Sequence, residues 1–456
     1  MPLMSAMFFR LSKSKYMAAL QCHKRLYLET YHPELATAVD EQTESRFETG
    51  YEVGEWARKR FPGGILVSQD QSDLTGAISR TADLITDSSI PAIFEATFEY
   101  NSVLVRVDVL ERTAGNCWRL IEVKSAASSK PEHIDDLAIQ AYVVSGAGIE
   151  LDGCFLMRIN TGYCYPGGYL DLAQLFAFDD LTAAVRDRQA AVPIRLSEMR
   201  SMLRAGLEPQ TDPTYHCHTP YGCQFWDYCT KEKPDRWIYH LPGGQRTFNK
   251  VRALGIDVID DIPQSFTLSA HQQRMKDGKE WVDAALREVL AKVIYPVFHL
   301  DFETINFVIP KFPNTRPYEQ VPFQWSVHVE EANGAVRHEE YLCADAKDCR
   351  EELAVRLVQV LGQAGTICVY SGFEKQVLTA LGNTVPSLKP KLNRIIKRLY
   401  DLLPIIKAHY YHPGFGASYS LKSVLPTLVP SLSYTIWKFR MAAWRDSAMR
   451  RCCLEN

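Results

Sequence analysis

The sequence predicts an α/β protein with two domains joined by a helical segment. Three observations support this class. Two apolar runs between residues 103 and 123 form a strand pair flanked by helical patterns. Proline, glycine and charged residues interrupt the chain from Lys231. A second strand–strand–helix–strand order begins near residue 297, and 456 residues are enough for more than one hydrophobic core.

The first strand pair is expected to be a β-hairpin made of Val103–Leu110 and Trp118–Val123, because the polar segment between the runs contains Gly115 and Asn116. Helices are predicted around it, over residues 12–30, 42–60 and 179–190, and a further strand over residues 154–159.

Three charged residues stand at the ends of the two hairpin strands. Asp108 lies near the end of the first run, and Glu122 and Lys124 close the second. Side chains alternate along a strand, so Glu122 and Lys124 share one face. Carboxylates can hold Mg²⁺, and a lysine can orient or deprotonate an attacking water. The pattern favours phosphodiester cleavage, although an ordinary surface hairpin with a Glu–Lys pair also fits.

The residues Asp108, Glu122, Val123 and Lys124 resemble the core of the PD-(D/E)xK nucleases of the RecB exonuclease type. Gln140, in DDLAIQAYVV, resembles the glutamine that this branch carries on the following helix. The resemblance implies a restriction-endonuclease-like fold. It also implies Mg²⁺ or Mn²⁺ held by Asp108 and Glu122, with Lys124 and Gln140 completing the catalytic set.

Three cysteines, Cys217, Cys223 and Cys229, are separated by five residues each. Thiolates bind zinc or iron–sulfur clusters, and such sites need four ligands, for which Cys22 is the natural fourth. Unligated cysteines and a zinc site remain alternatives. RecB-type nucleases that carry a cluster have one cysteine near the N-terminus and three after the nuclease core, so the resemblance implies a [4Fe–4S] cluster.

A second acidic motif, Asp301-Phe302-Glu303, ends an apolar strand. Asp301 and Glu303 project from one face, as metal-binding carboxylates do, although Asp-x-Glu is common at strand ends. The following element order resembles an RNase H-like fold of the DEDD exonuclease type with a mixed central sheet. Glu374 in YSGFEK and Asp401 fall where such enzymes carry further acidic residues.

The whole chain resembles a bacterial family of unknown function that joins these two domain types. We predict a RecB-type nuclease-like domain over residues 1–235, a helical linker over 236–290 and an RNase H-like domain over 291–456. The resemblance stops near Tyr434, and a truncated or altered end is expected after it.

The amino-acid composition limits the classes of partner and the cellular location that we expect for this protein. The net charge of −3 excludes a globally basic nucleic-acid binder, so any DNA path would be a local patch. Short, charge-broken apolar segments predict no membrane span, and the N-terminus predicts no secretory signal. Twelve cysteines without a signal indicate the reducing cytoplasm. No oligomeric state is predicted.

The function expected from the sequence is Mg²⁺-dependent nuclease activity on DNA rather than RNA, as an exonuclease in repair, recombination or defence. The alternative is a non-catalytic nucleic-acid-binding or scaffold protein that retains nuclease folds.

Overall fold

The computed structural model describes residues 9–67, 73–343 and 347–432, and these form two compact units. The N-terminal unit is the chain up to Glu232 together with Val308–Tyr318. The C-terminal unit is Lys233–Phe307 together with the chain from Glu319. Each unit combines helices with a mixed sheet, which confirms the predicted α/β class.

The N-terminal unit is built on a seven-stranded sheet in the order β2-β3-β4-β5-β6-β7, with β1 paired to β4. Its strands are β1 (Leu11–Ser12), β2 (Ile65–Leu66), β3 (Ala92–Tyr100), β4 (Val103–Arg112), β5 (Trp118–Lys124), β6 (Leu151–Ile159) and β7 (Phe176–Asp180). The β3–β4–β5 meander is antiparallel, whereas β5 and β6 run parallel. The helix between β5 and β6 is therefore a crossover connection.

The helices of this unit are α1 (Lys13–Gln21), α2 (His23–Tyr31), α3 (Glu41–Arg58), α4 (Leu74–Thr86), α5 (Pro131–Gly146), α6 (Leu172–Leu175), α7 (Thr182–Arg188), α8 (Ala191–Ala205) and α9 (Trp226–Thr230). The core lies between the sheet and its helices. Alternate residues of β4, beginning with Val103, are buried there. The helix α5 contributes Leu137, Ile139 and Val143 to the same core.

The hairpin between β4 and β5 is confirmed, and its connection contains two residues with left-handed backbone. Gly115 has φ +70° and Asn116 has φ +64°. Glycine and asparagine tolerate this region better than other residues, which explains why the chain can reverse here.

Two of the predicted helices differ from the structure. The helix expected over residues 12–30 is divided into α1 and α2, because Cys22 adopts an extended backbone, with φ −163° and ψ 123°, and caps both. The helix expected over 179–190 starts later, since residues up to Asp180 pair with β6 as strand β7. Phe176 and Phe178, aromatic residues two positions apart, are the signal that favours a strand there.

The C-terminal unit contains a five-stranded mixed sheet in the order β11-β10-β9-β12-β13 and a two-stranded sheet of β8 and β14. Its strands are β8 (Trp281–Val282), β9 (Val297–Asn306), β10 (Gln320–Glu330), β11 (Val336–Leu342), β12 (Thr366–Val369), β13 (Leu399–Asp401) and β14 (Tyr410–Tyr411). The strands β9, β10 and β11 are antiparallel neighbours, whereas β12 pairs in parallel with β9 and β13 pairs in parallel with β12.

The helices of this unit are α10 (Gly244–Arg252), α11 (Ala270–Asp277), α12 (Leu286–Leu290), α13 (Arg350–Leu361), α14 (Phe373–Thr384), α15 (Lys389–Ile396), α16 (Leu402–His409) and α17 (Leu421–Leu428). Residues 236–290, predicted as a linker, belong to this unit. The division into two nuclease-like domains and a linker stays a prediction.

The expected change of sequence after Tyr434 lies outside the described residues. Among the helices of the described ranges, none combines the length and the apolar character needed to cross a membrane.

Candidate active site

The acidic site of the N-terminal unit begins where β4 and β5 separate. Their ladder runs from Arg112 opposite Trp118 to Val109 opposite Ile121. One residue further, the carboxylate of Asp108 replaces a strand partner: its Oδ2 accepts from the backbone N–H of Val123 at 2.7 Å. A side chain therefore satisfies a backbone donor at the point where the sheet opens.

Glu122 is the most enclosed acid of this site, with 1% of its surface exposed. Lys124 Nζ donates to Glu122 Oε1 at 2.5 Å. A second ammonium, Lys13 Nζ, lies 3.0 Å from Oε1 and 3.1 Å from Oε2. Two cations thus compensate one buried carboxylate, as burial of an ionised group requires.

The helix α5 supplies the other wall through Asp136 and Gln140. These residues are four apart, so they lie on one face of the helix. Gln140 Nε2 donates to Glu122 Oε2 at 2.7 Å and to Asp136 Oδ1 at 3.0 Å. Lys124 Nζ also donates to Asp136 Oδ2 at 2.8 Å. Residues from β4, β5, α5 and α1 thus form one connected cluster.

The acids of this cluster differ in ionisation. Burial raises the pKa of Asp108 to about 7, and repulsion from Glu122 adds to the increase. Burial also acts to raise the pKa of Glu122, but Lys124 and Lys13 lower it well below its ordinary value. Glu122 is therefore ionised at neutral pH, whereas Asp108 changes protonation near it.

Both lysines remain cations at neutral pH. Burial alone would lower the pKa of Lys124, but Glu122 and Asp136 raise it well above its ordinary value. The pKa of Lys13 is likewise raised, because attraction to Asp136 and Glu122 outweighs burial.

The four residues predicted for this site, Asp108, Glu122, Lys124 and Gln140, are brought together. The sequence analysis did not identify Asp136 and Lys13 as residues of this site. Asp136 could have been found, since it lies one helical turn before Gln140 in DDLAIQ. No local signal identifies Lys13, which starts a helix more than a hundred residues before its partner Glu122.

The donor set suits Mg²⁺ or Mn²⁺ in chemistry, because it consists of carboxylate and amide oxygens. One acceptor is unused: Gln140 Oε1 is buried without a hydrogen-bond partner. However, no group of three or more histidine, cysteine, aspartate or glutamate side chains in the described ranges is arranged to hold a metal ion. The ammonium groups already contact the oxygens that a metal would use.

Of the predicted cluster cysteines, Cys22 precedes α2, Cys217 and Cys223 lie in the segment that leads into α9, and Cys229 lies within α9. Burial raises the pKa of Cys217 to about 11, and the thiols of Cys223, Cys22 and Cys229 add to the increase. The electrostatic effect of these three thiols on Cys217 indicates that they lie near it. All four are free thiols, and Cys217 is buried.

Hydrogen bonds to backbone groups connect the segments that carry the cysteines. Gln21 Nε2 donates to the carbonyl oxygens of His216 at 2.9 Å and Tyr221 at 2.7 Å. The backbone N–H of Cys223 donates to the Cys217 carbonyl at 2.7 Å. Four thiols are the donor set of a tetrahedral zinc ion or a [4Fe–4S] cluster, but the described residues contain no group of three or more cysteine, histidine or acidic side chains arranged to hold a metal ion, and this includes these cysteines.

In the C-terminal unit, Asp301 and Glu303 lie on one face of β9, two residues apart. Asp301 is exposed to solvent, and partial desolvation by surrounding atoms raises its pKa. Burial also raises the pKa of Glu374 to about 7, and the charges of Asp301 and Asp401 add to it. Glu374 Oε2 is buried without a hydrogen-bond partner. Asp401 accepts from the backbone N–H of Ser371 at 2.9 Å and of Leu403 at 3.0 Å.

Comparison with protein families finds a match for only part of the chain. A family model described as a domain of unknown function (DUF2779) matches residues 298–420. No curated protein matches the chain. A solved structure titled "Crystal structure of SSO0001" is 15% identical over 49% of this chain and 86% of that one, with a TM-score of 0.22, too low to define a common fold. A match to a family of unknown function agrees with the expectation, but it covers only residues 298–420, so the family expected for the whole chain stays a prediction.

Proposed function

We propose that this protein is a metal-dependent nuclease that hydrolyses phosphodiester bonds of DNA, as an exonuclease in repair, recombination or defence. One observation carries the proposal. Asp108, Glu122, Lys124 and Gln140, which the sequence separates by up to 32 positions, meet in a single buried cluster where two strands part. This is the composition of a PD-(D/E)xK nuclease site.

Asp108 and Glu122 would hold the divalent ion through their carboxylate oxygens. Once bound, Mg²⁺ or Mn²⁺ would polarise the phosphate and make water a better nucleophile at neutral pH. Gln140 fixes the orientation of the Glu122 carboxylate, and Asp136 does the same for the Lys124 ammonium.

Lys124 acts as a fixed cation in this proposal. Its raised pKa means that it has no free lone pair at neutral pH, so it cannot accept a proton from water. It can donate a hydrogen bond to the attacking water or to a phosphate oxygen, where it would stabilise the charge that develops in the transition state. Of the two roles expected for it, orienting water is the one that fits.

A cysteine-bound cluster would support the fold in the same unit. Cys22, Cys217, Cys223 and Cys229 are proposed to hold [4Fe–4S], with Zn²⁺ as the alternative. Burial raises the pKa of Cys217, Cys223 and Cys229, and neighbouring cysteines add to the increase, so a metal ion that binds the thiolates would replace their protons and stabilise the unit.

We assign the C-terminal unit an RNase H-like fold with a silent second site. Three antiparallel strands followed by two parallel ones support the fold. Asp301, Glu303, Glu374 and Asp401 supply acids, but a two-metal exonuclease needs carboxylates held close to both cations.

The second candidate function is a nucleic-acid-binding scaffold without catalysis. It is favoured by the ammonium of Lys13, which contacts both oxygens of the central glutamate. A scaffold would bind nucleic acid with or without divalent ions and would not cleave it.

The test is cleavage of labelled single-stranded DNA, double-stranded DNA and RNA by anaerobically purified protein. We expect Mg²⁺-dependent products that a chelator abolishes and that Asp108→Ala lacks. Asp152→Ala is the matched control, because Asp152 is an exposed acid of the same sheet. Absence of cleavage on every substrate with both metals would favour the scaffold.

A further inference from the structure

Lys13 is an additional cation in the acidic site, and the proposed chemistry does not use it. Its Nζ contacts both oxygens of Glu122, at 3.0 and 3.1 Å, and lies 3.2 Å from Asp136 Oδ1. One ammonium therefore bridges two carboxylates that face each other from β5 and α5. This is where a divalent cation would also gain most from their charge.

The contacts of Glu122 are already complete. Oε1 accepts from Lys13 and Lys124, and Oε2 accepts from Lys13 and Gln140. A carboxylate oxygen has about two lone-pair directions, so Glu122 can bind a metal ion only if one of these donors leaves. Gln140 is fully buried, whereas the Lys13 side chain is 25% exposed.

We propose that Lys13 is a positioning residue that serves as the resident counter-cation of the site: it holds Glu122 and Asp136 in place and competes with the divalent ion for them. This inference rests on the proposed nuclease function and deepens it. The affinity for metal is then set by how readily the Lys13 ammonium turns toward solvent.

The backbone of Lys13 is fixed, so only its side chain can withdraw. Ser12, immediately before it, pairs with Leu104 of β4 and caps α1 through its side chain. The other end of α1 is held by the two hydrogen bonds from Gln21 to the cysteine loop. A substitution of Lys13 should therefore leave α1 in position.

The experiment measures Mn²⁺ binding to the full-length protein by calorimetry and by the EPR signal of free Mn²⁺. Wild type is compared with Lys13→Met, Lys13→Gln, Lys13→Arg and Lys15→Met. The last is the matched control, since it removes the same charge from the same helix. Each is repeated with Asp108→Asn, so that only binding that requires Asp108 is counted.

We expect Lys13→Met and Lys13→Gln to bind Mn²⁺ about tenfold more tightly or better, because a cation that repels the metal at short range is gone. Lys13→Arg should stay within about threefold of wild type, since it keeps the charge. Lys15→Met should not change the affinity.

An affinity that is unchanged or weaker in both Lys13→Met and Lys13→Gln overturns the inference, and so does the absence of Asp108-dependent binding in these variants. Failure of both to fold would assign Lys13 a structural role and would also overturn it. Tighter binding without cleavage of any nucleic acid would uphold the inference and reject the nuclease function. Cleavage by wild type without tighter binding in the variants would do the reverse.

Discussion

The side-chain amide of Gln140 donates to Glu122 Oε2 at 2.7 Å and thereby joins the crossover helix to the central strand of the N-terminal unit. The same nitrogen donates to Asp136 Oδ1 at 3.0 Å, so one fully buried amide orders two acids. The site is thus a set of mutually dependent side chains on neighbouring elements.

Replacing Gln140 by leucine should destabilise the N-terminal unit at nearly constant volume. Glu122 and Asp136 each lose a buried donor, at a cost of about 2 kcal/mol in the free energy of unfolding. For a unit of this size that lowers Tm by about 4–8 °C. Thermal unfolding followed by circular dichroism measures the change. Gln210→Leu, at an exposed position, should leave Tm unchanged, and equal Tm values for the two variants would argue against a role for the Gln140 amide.

The raised pKa of Asp108 should make the stability of the metal-free protein depend on pH. Its pKa is raised from 3.8 to about 7, so the folded state holds this proton more tightly than the unfolded state. The bound proton therefore stabilises the folded state. This contribution to the free energy of unfolding is fully present below pH 3.8, and it is lost as the pH rises through about 7.

The variant Asp108→Asn keeps an acceptor for the Val123 N–H and cannot ionise. We expect its Tm, measured in chelator, to exceed that of wild type by an amount that grows between pH 5 and pH 8. The full difference corresponds to about 2–4 kcal/mol. A constant difference across this range would mean that Asp108 does not carry the titration.

Lys124 should affect turnover more than metal binding. Lys124→Met removes a fixed cation next to the reacting water, and the loss of one such contact costs about two decades in kcat. Mn²⁺ affinity should not fall, since the lysine is not a ligand. Single-turnover cleavage and calorimetry on the same preparation separate the two quantities. A lysine that acted by positioning the metal would show weaker Mn²⁺ binding and a smaller change in kcat at saturating metal.

The cysteine group predicts a brown protein after anaerobic purification, with broad visible absorbance from thiolate-to-iron charge transfer. Cys22→Ser should lose the colour and lower Tm, because metal binding contributes folding free energy. Cys164→Ser is the control, since Cys164 is exposed and lies outside the group. A colourless preparation with stoichiometric zinc would replace the iron assignment, and full metal content in Cys22→Ser would exclude Cys22 as a ligand.

The sequence predicted those parts of the fold that depend on local pattern. The β4–β5 hairpin follows from two apolar runs around Gly115 and Asn116, whereas the helix α5 was implied only by the family resemblance around Gln140. The break between α1 and α2 at Cys22 was not predictable, because nothing in the local sequence requires an extended residue there. The tethering of Gln21 to His216 and Tyr221, far along the chain, accompanies it.

The same distinction applies to the candidate site. Glu122 and Lys124 share a strand face, so their proximity could be read from a spacing of two. The roles of Lys13 and of the buried Gln140 amide could not, since they depend on contacts between distant elements, of which the contact of Lys13 with Glu122 spans 109 positions. The protonation of Lys124 also depends on Asp136, which only the fold brings within 2.8 Å.

The central claim is that hydrolysis belongs to the acidic site of the N-terminal unit. It is tested most directly by two isosteric variants, Asp108→Asn and Asp301→Asn, assayed side by side for Mg²⁺-dependent cleavage of labelled DNA. We predict that Asp108→Asn loses cleavage by at least about two decades, whereas Asp301→Asn retains the rate of wild type. Loss of cleavage in Asp301→Asn, or full cleavage in Asp108→Asn, would contradict the claim and move the chemistry to the C-terminal unit.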